Sequence, residues 1–114
     1  LPLHLQAEAP WGTHSRWLTV MYLDPDAGPV TARDLVDTLG AQNIEARPVW
    51  RPMHTQPLFA GAATVGGAVA ERLYREGICL PSSSSLTADQ QERVARALEG
   101  AMARVPAGPP ARSR

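Results

Sequence analysis

The chain has 114 residues, with 11 Lys or Arg balanced by 11 Asp or Glu, so its formal net charge is zero with histidine neutral. That length holds one domain and one core. The charge balance lacks the basic excess of a protein that holds nucleic acid by bulk electrostatics, and no apolar run is long enough to span a bilayer.

All the cationic residues are arginine, and lysine is absent. The only cysteine, Cys79, excludes an internal disulfide and fits a reducing, cytoplasmic setting. The chain starts at Leu1, and its first ten residues lack the basic-then-apolar order of a signal peptide. It is therefore expected to be processed, trimmed or a piece of something longer.

Residues 1–14 read as irregular, broken by Pro2, Pro10 and Gly12. Residues 16–23 (RWLTVMYL) read as a strand rich in aromatic and β-branched side chains. Trp17, Met21 and Leu23 point to one face, and Leu18, Val20 and Tyr22 to the other. Both faces are apolar, so one needs a partner domain or subunit once helices cover its opposite. The cluster 24–29 (DPDAGP) is a turn.

Thr31 is a helix N-cap with Asp34 as its capping-box partner. Ala32, Leu35, Val36 and Leu39 follow at one-face helical spacing, and Gly40 stands where a left-handed C-cap belongs. Residues 43–50 (NIEARPVW) form a second strand, at an edge or ending near Pro48, which has no N–H to donate. A proline-stiffened loop (51–59, RPMHTQPLF) and a small glycine-rich stretch (61–67) follow.

A second helix is expected over 65–76, buried along Val65, Val69 and Leu73 and capped by Gly77. Ile78, Cys79 and Leu80 make a short apolar strand stopped by Pro81. After the serine run 82–85, Thr87 and Gln90 form a second capping box, with Asp89 favourable at the positive helix end. Val94, Leu98, Ala101 and Met102 mark the face of the third helix. The expected fold is an α/β (α+β) two-layer sandwich, a small three- to four-stranded sheet with helices on one face. An irregular segment or interdomain linker over 1–15 precedes one small domain over 16–104, and a disordered tail occupies 105–114.

Few side chains suggest chemistry on their own. His54 sits in a loop stiffened by Pro52 and Pro57, beside Met53 and Gln56. Loops held by a rigid scaffold favour binding residues, but the segment alone reads first as a solvated turn. His4 and His14 have no neighbours at metal-ligand spacing, so no metal is expected. Cys79 reads as a core thiol without a group to activate it. Gly61, Gly66 and Gly67 precede a helix start, where free N–H groups can hold phosphate, yet match neither G-x-G-x-x-G nor the P-loop. The serine run lacks a placed base and reads as a polar linker. Arg47 and Arg51 flank Trp50 and suit a phosphate or carboxylate, or simply a solvated edge.

The segments are more specific together. Residues 46–59 (ARPVWRPMHTQPLF) resemble the R-P-x-W-x-P-M-H-x-Q-P-x-F stretch of DegT/StrS-type aminotransferases that act on nucleotide-linked keto sugars. Residues 70–81 (AERLYREGICLP) resemble that family's E-x-L-x-x-x-G-x-C-L-P-S segment, and 15–24 (SRWLTVMYLD) its R/W-L-T strand. The matches keep their order over most of the chain.

The resemblance implies the small C-terminal domain of a fold type I aminotransferase. Pyridoxal 5'-phosphate would be held on a lysine of a large domain, glutamate would donate the amino group, and the enzyme would work as a homodimer. The tryptophan–proline–methionine–histidine form is most similar to enzymes that aminate a 4-keto-6-deoxy sugar on a UDP-linked N-acetylhexosamine, in cell-surface polysaccharide biosynthesis. His54 and Met53 match the loop lining the sugar-nucleotide pocket, and Trp50 and Arg51 its approach, as substrate-positioning groups. Arg51 stands where lysine is common and Thr55 where the family has an apolar residue. Ser83 replaces a frequent glycine.

Without a lysine, this chain is expected to bind no cofactor and to be inactive alone. The alternative is a stand-alone module that dimerises through its open sheet face or binds a nucleotide sugar.

Overall fold

A computed structural model describes residues 2–15, 17–24 and 27–103. The elements run β1 (Leu3–Leu5), β2 (Thr19–Leu23), α1 (Ala32–Gly40), β3 (Arg47–Pro48), two short 3-10 turns (Met53–Thr55 and Pro57–Phe59), α2 (Ala68–Glu76), β4 (Gly77–Leu80) and α3 (Ala88–Ala103). The expected α/β sandwich is present, built on a four-stranded sheet in the order β1-β2-β4-β3. All three strand pairs are antiparallel.

Register decides which side chains meet. Leu3 pairs with Leu23, Met21 with Ile78 and Thr19 with Leu80. Leu3, Met21, Leu23, Ile78 and Leu80 therefore share one face. Against it pack Leu35 and Leu39 of α1 and Ala97, Leu98, Ala101 and Met102 of α3, with Ile44 closing the group. β4 lies between β2 and β3, and all four of its residues are buried. β3 is an edge strand, which is why Pro48 is tolerated there.

Both capping boxes form. The Thr31 N–H donates to Asp34 Oδ2 at 2.9 Å, and the Asp34 N–H donates to Thr31 Oγ1 at 3.2 Å. At α3, the Thr87 N–H donates to Gln90 Oε1 at 2.9 Å and the Gln90 N–H to Thr87 Oγ1 at 3.3 Å. The Thr31 hydroxyl, and then the Thr31 N–H, hold the Asp34 carboxyl below its ordinary value. A depressed folded-state pKa adds stability that is complete above the unfolded value and is lost as pH falls through the folded one. Acid unfolding is therefore expected to lose part of its pH dependence in Asp34→Asn. Thr31→Ala is expected to cost about 1 kcal/mol at neutral pH, read from the denaturant midpoint.

Five expectations are corrected. The first residues are not wholly irregular: Leu3–Leu5 extend the sheet as β1, with His4 opposite Tyr22. The strand expected from residue 16 begins at Thr19, and Trp17 lies outside it in a bend; Arg16 is outside the described residues. Gly40 is helical, and the left-handed residue is Asn43 at φ 56°. Asparagine tolerates that region, and the turn lets the Ile44 N–H donate to Leu39 O at 3.0 Å while its side chain enters the core.

The fourth correction concerns α2. It starts at Ala68, after Gly66 and Gly67 at φ 72° and 113°. Val65 is 100% exposed and Val69 64%, so neither forms the expected buried stripe; only Leu73 is half-buried. The strand expected over 43–50 shortens to Arg47–Pro48. The tail expected to be disordered lies outside the described residues. The second sheet face, with Val20 and Tyr22, is half-buried in the chain itself.

Candidate functional site

The loop after β3 is braced by its own residues. Pro52 is buried ahead of the turn Met53–Thr55, and Pro57 opens the turn Pro57–Phe59, each supplying a backbone angle already set for the bend. Arg51 donates from Nη2 to Thr55 O at 2.7 Å and from Nε to Thr55 Oγ1 at 3.3 Å. The Thr55 hydroxyl donates to Pro52 O at 2.8 Å, and Gln56 Nε2 to Arg51 O at 3.1 Å. Two departures from the family pattern, Arg51 and Thr55, therefore bond each other. A planar guanidinium reaches both Thr55 atoms at once, which a lysine amine does less readily.

This bracing aims His54 at the start of α2. Its Nε2 lies 2.8 Å from Glu71 Oε1. Glu71 belongs to the first turn of α2, where negative charge meets the positive helix end, and its own N–H donates to Gly67 O at 2.9 Å. A Cβ on Gly67 would lie 2.8 Å from His54 Cε1 and 2.9 Å from Nε2. The position thus needs glycine twice, for its left-handed backbone and for the ring that fills its missing side chain. The His54 side chain is left 23% exposed and Glu71 49%.

Across the loop, Trp50 stacks on Trp17 with ring centroids 5.4 Å apart and planes 28° from parallel. They are 58% and 71% exposed, which leaves a wide aromatic surface open. Both line an open cleft of about 820 Å³, together with Arg47, Arg51, Cys79 and Ser82. Arg47 donates to Glu45 from Nε at 2.8 Å. Met53 is exposed on the outside of its turn.

Other candidates resolve into structural parts. Ser82 Oγ accepts from the Thr19 N–H and donates to Leu80 O, each at 2.7 Å, and so ties β2 to the end of β4. Burial pushes the Cys79 thiol up, away from a reactive thiolate. His4 stacks on Tyr22 and bonds Asp24 Oδ2 at 3.1 Å. Among the described residues, no three His, Cys, Asp or Glu side chains are placed to hold a metal.

Of the residues expected to meet substrate, Trp50 and Arg51 line this same cleft, while Met53 and His54 lie in the turn Met53–Thr55. Sequence reasoning missed Trp17, Glu71 and Gly67 as their partners. The adjacent pair Gly66–Gly67 with a carboxylate four residues on was the available signal. Nothing local links Trp17 to Trp50.

A small antiparallel sheet carries two helices on one face and a proline-braced loop at its edge, a small mixed α/β domain. The chain belongs to the DegT/DnrJ/EryC1/StrS aminotransferase family, whose model matches residues 1–99. It is 47% identical over 91 residues, 76% of its length and 23% of the relative, to EpsN of Bacillus subtilis (strain 168), a candidate pyridoxal phosphate-dependent aminotransferase. It is 37% identical over 89 residues, 77% of its length and 24% of the relative, to GDP-perosamine synthase of Caulobacter vibrioides. Its fold matches the crystal structure of the aminotransferase TlmJ from Streptoalloteichus hindustanus at a TM-score of 0.73. That match has 20% identity and covers 90% of this chain and 26% of the other. The chain thus spans about a quarter of the length of the relatives it matches.

Proposed function

We propose that this chain is the substrate-facing small domain of a pyridoxal phosphate-dependent transaminase. The enzyme converts a nucleotide-linked 4-keto-6-deoxy sugar, favouring a UDP-linked N-acetylhexosamine, into its 4-amino product with glutamate as donor. One observation carries the reading: an imidazole on a braced loop, bonded to a carboxylate and seated over a glycine, with a stacked tryptophan pair formed between the start of that loop and the bend before β2. Membership of a sugar-aminotransferase family supports it.

The cofactor, when bound, supplies the electron sink for amino transfer. Its anchoring amine cannot come from these residues, because none of them is lysine. A large partner domain is proposed to supply that amine, in a cytoplasmic homodimer. The small domain's task is then placement. The tryptophan pair offers a face to a planar base, Arg51 lines the same cleft for a diphosphate, and His54 holds the sugar. The half-open sheet face and the exposed Val65 and Val69 offer apolar surface to the partner.

The test is an assay of the full transaminase with glutamate, pyridoxal phosphate and a UDP-4-keto-6-deoxy-N-acetylhexosamine. The 4-amino sugar is expected to form. His54→Ala is expected to raise KM for the sugar about tenfold, the value of one lost hydrogen bond, with the absorbance of bound cofactor unchanged. Preference for a GDP-linked sugar would replace the nucleotide in this proposal. Failure to aminate any nucleotide sugar would overturn it.

A further inference from the structure

We infer that Glu71 and Gly67 clamp His54 in one tautomer, leaving Nδ1 as the acceptor for a donor group of the ligand, a hydroxyl or an N–H. The clamp stands on geometry alone; only the identity of the ligand rests on the proposed function.

The carboxylate has only acceptors to offer. At 2.8 Å from Nε2, it must receive a proton from that nitrogen. In the neutral ring this fixes the proton on Nε2 and the lone pair on Nδ1. Glu71 is well suited to impose the choice. Its backbone is held in the first turn of α2 by the bond to Gly67 O, which sets the point from which the carboxylate reaches the ring.

Gly67 supplies the second constraint. The ring fills the place a side chain would take there, so that a methyl group, 2.8 Å from Cε1 and 2.9 Å from Nε2, would displace it. A ring flipped about its bond to Cβ would lose the Glu71 bond. Carboxylate and glycine together therefore set both the position and the chemical sense of the imidazole. Among the described residues no group bonds Nδ1, and the side chain keeps 23% of its surface exposed.

The consequence is chemical selection. A phosphate oxygen is an acceptor, and two acceptors do not attract. A sugar hydroxyl or an acetamido N–H can donate to Nδ1. The clamp thus directs His54 toward the sugar half of a nucleotide sugar rather than its diphosphate. Glu71 acts through His54 and is a positioning residue.

Nitrogen-15 NMR of the histidine rings in the 114-residue chain tests this, with His54→Ala to assign the signal. In the wild type, Nε2 is expected to carry a proton protected from exchange with water, and Nδ1 to give the signal of an unprotonated nitrogen. Glu71→Ala should lose the protected proton while near-ultraviolet dichroism of the fold stays unchanged, because no α2 residue is part of the buried core. Gly67→Ala should lose it as well. A proton on Nδ1 of the neutral wild-type ring would overturn the inference, as would a protected signal that persists in Glu71→Ala. UDP-N-acetylglucosamine is then added to the wild type. A shift of the Nδ1 signal supports the acceptor role. An intact clamp with no response to the sugar leaves the tautomer assignment standing and counts against the nucleotide-sugar reading instead.

Discussion

Gly77→Ala is expected to destabilise the chain by about 2–3 kcal/mol, at the upper part of the range for overpacked sites. The strain is not in the backbone angles, since Gly77 has φ −101°, open to any residue. It is steric. A Cβ there would sit 2.5 Å from Leu73 O and 2.6 Å from Val49 Cγ2. The first of these atoms is backbone, so no rotamer change relieves it.

The position is crowded because α2 passes into β4 without a linker. The Gly77 N–H caps the helix on Leu73 O, and its own carbonyl accepts the Val49 N–H at 3.2 Å. Helix end, central strand and the start of the site loop thus meet at one residue. Shifting any of them moves Glu71 relative to His54. Gly100→Ala is the control. It lies in α3 with open space where its Cβ would go, and is expected to stabilise by about 0.5–1 kcal/mol through helix propensity. Urea midpoints of the two variants should move in opposite directions. A Gly77→Ala variant as stable as wild type would mean that the α2–β4 seam is looser than the geometry describes.

Local signals read true where they act locally. The capping boxes at Thr31 and Thr87 were legible because each is a bond between residues three apart. Pro81 ended β4 and Pro48 marked an edge because a missing N–H has the same consequence in any fold. β1 was not legible. Three residues beside Pro2 carry little pattern, and the strand exists only because β2, folded from residues 19–23, offers it an edge. Trp17 fits strand periodicity, yet its place is decided by Trp50, distant in sequence. His54 could be singled out as a loop histidine next to prolines. Its partner Glu71 is brought to it by a helix whose start the two glycines set three residues later than the apolar pattern did.

The same distinction separates pattern from burial in α2, and two substitutions measure it. Ile78→Ala is expected to cost about 3–4 kcal/mol, because the side chain is fully enclosed and its removal leaves a cavity in the only large core among the described residues. Against a total of about 5–15 kcal/mol for a domain, that loss would bring the chain close to unfolding at room temperature. Val69→Ala, equally apolar by sequence and on a helical stripe with Leu73, is expected to change stability by less than about 0.5 kcal/mol. Val69 is 64% exposed, and alanine improves helix propensity at that position. Thermal melts of both variants decide the matter. A large loss at Val69 would place α2 against the core, contrary to the arrangement described here. A small one identifies its apolar stripe as surface that the domain does not need for its own stability. Apolar surface free of that duty is what a domain requires if it is to pack on a larger one, so the stability difference between these two residues also bears on how the site beside α2 is completed.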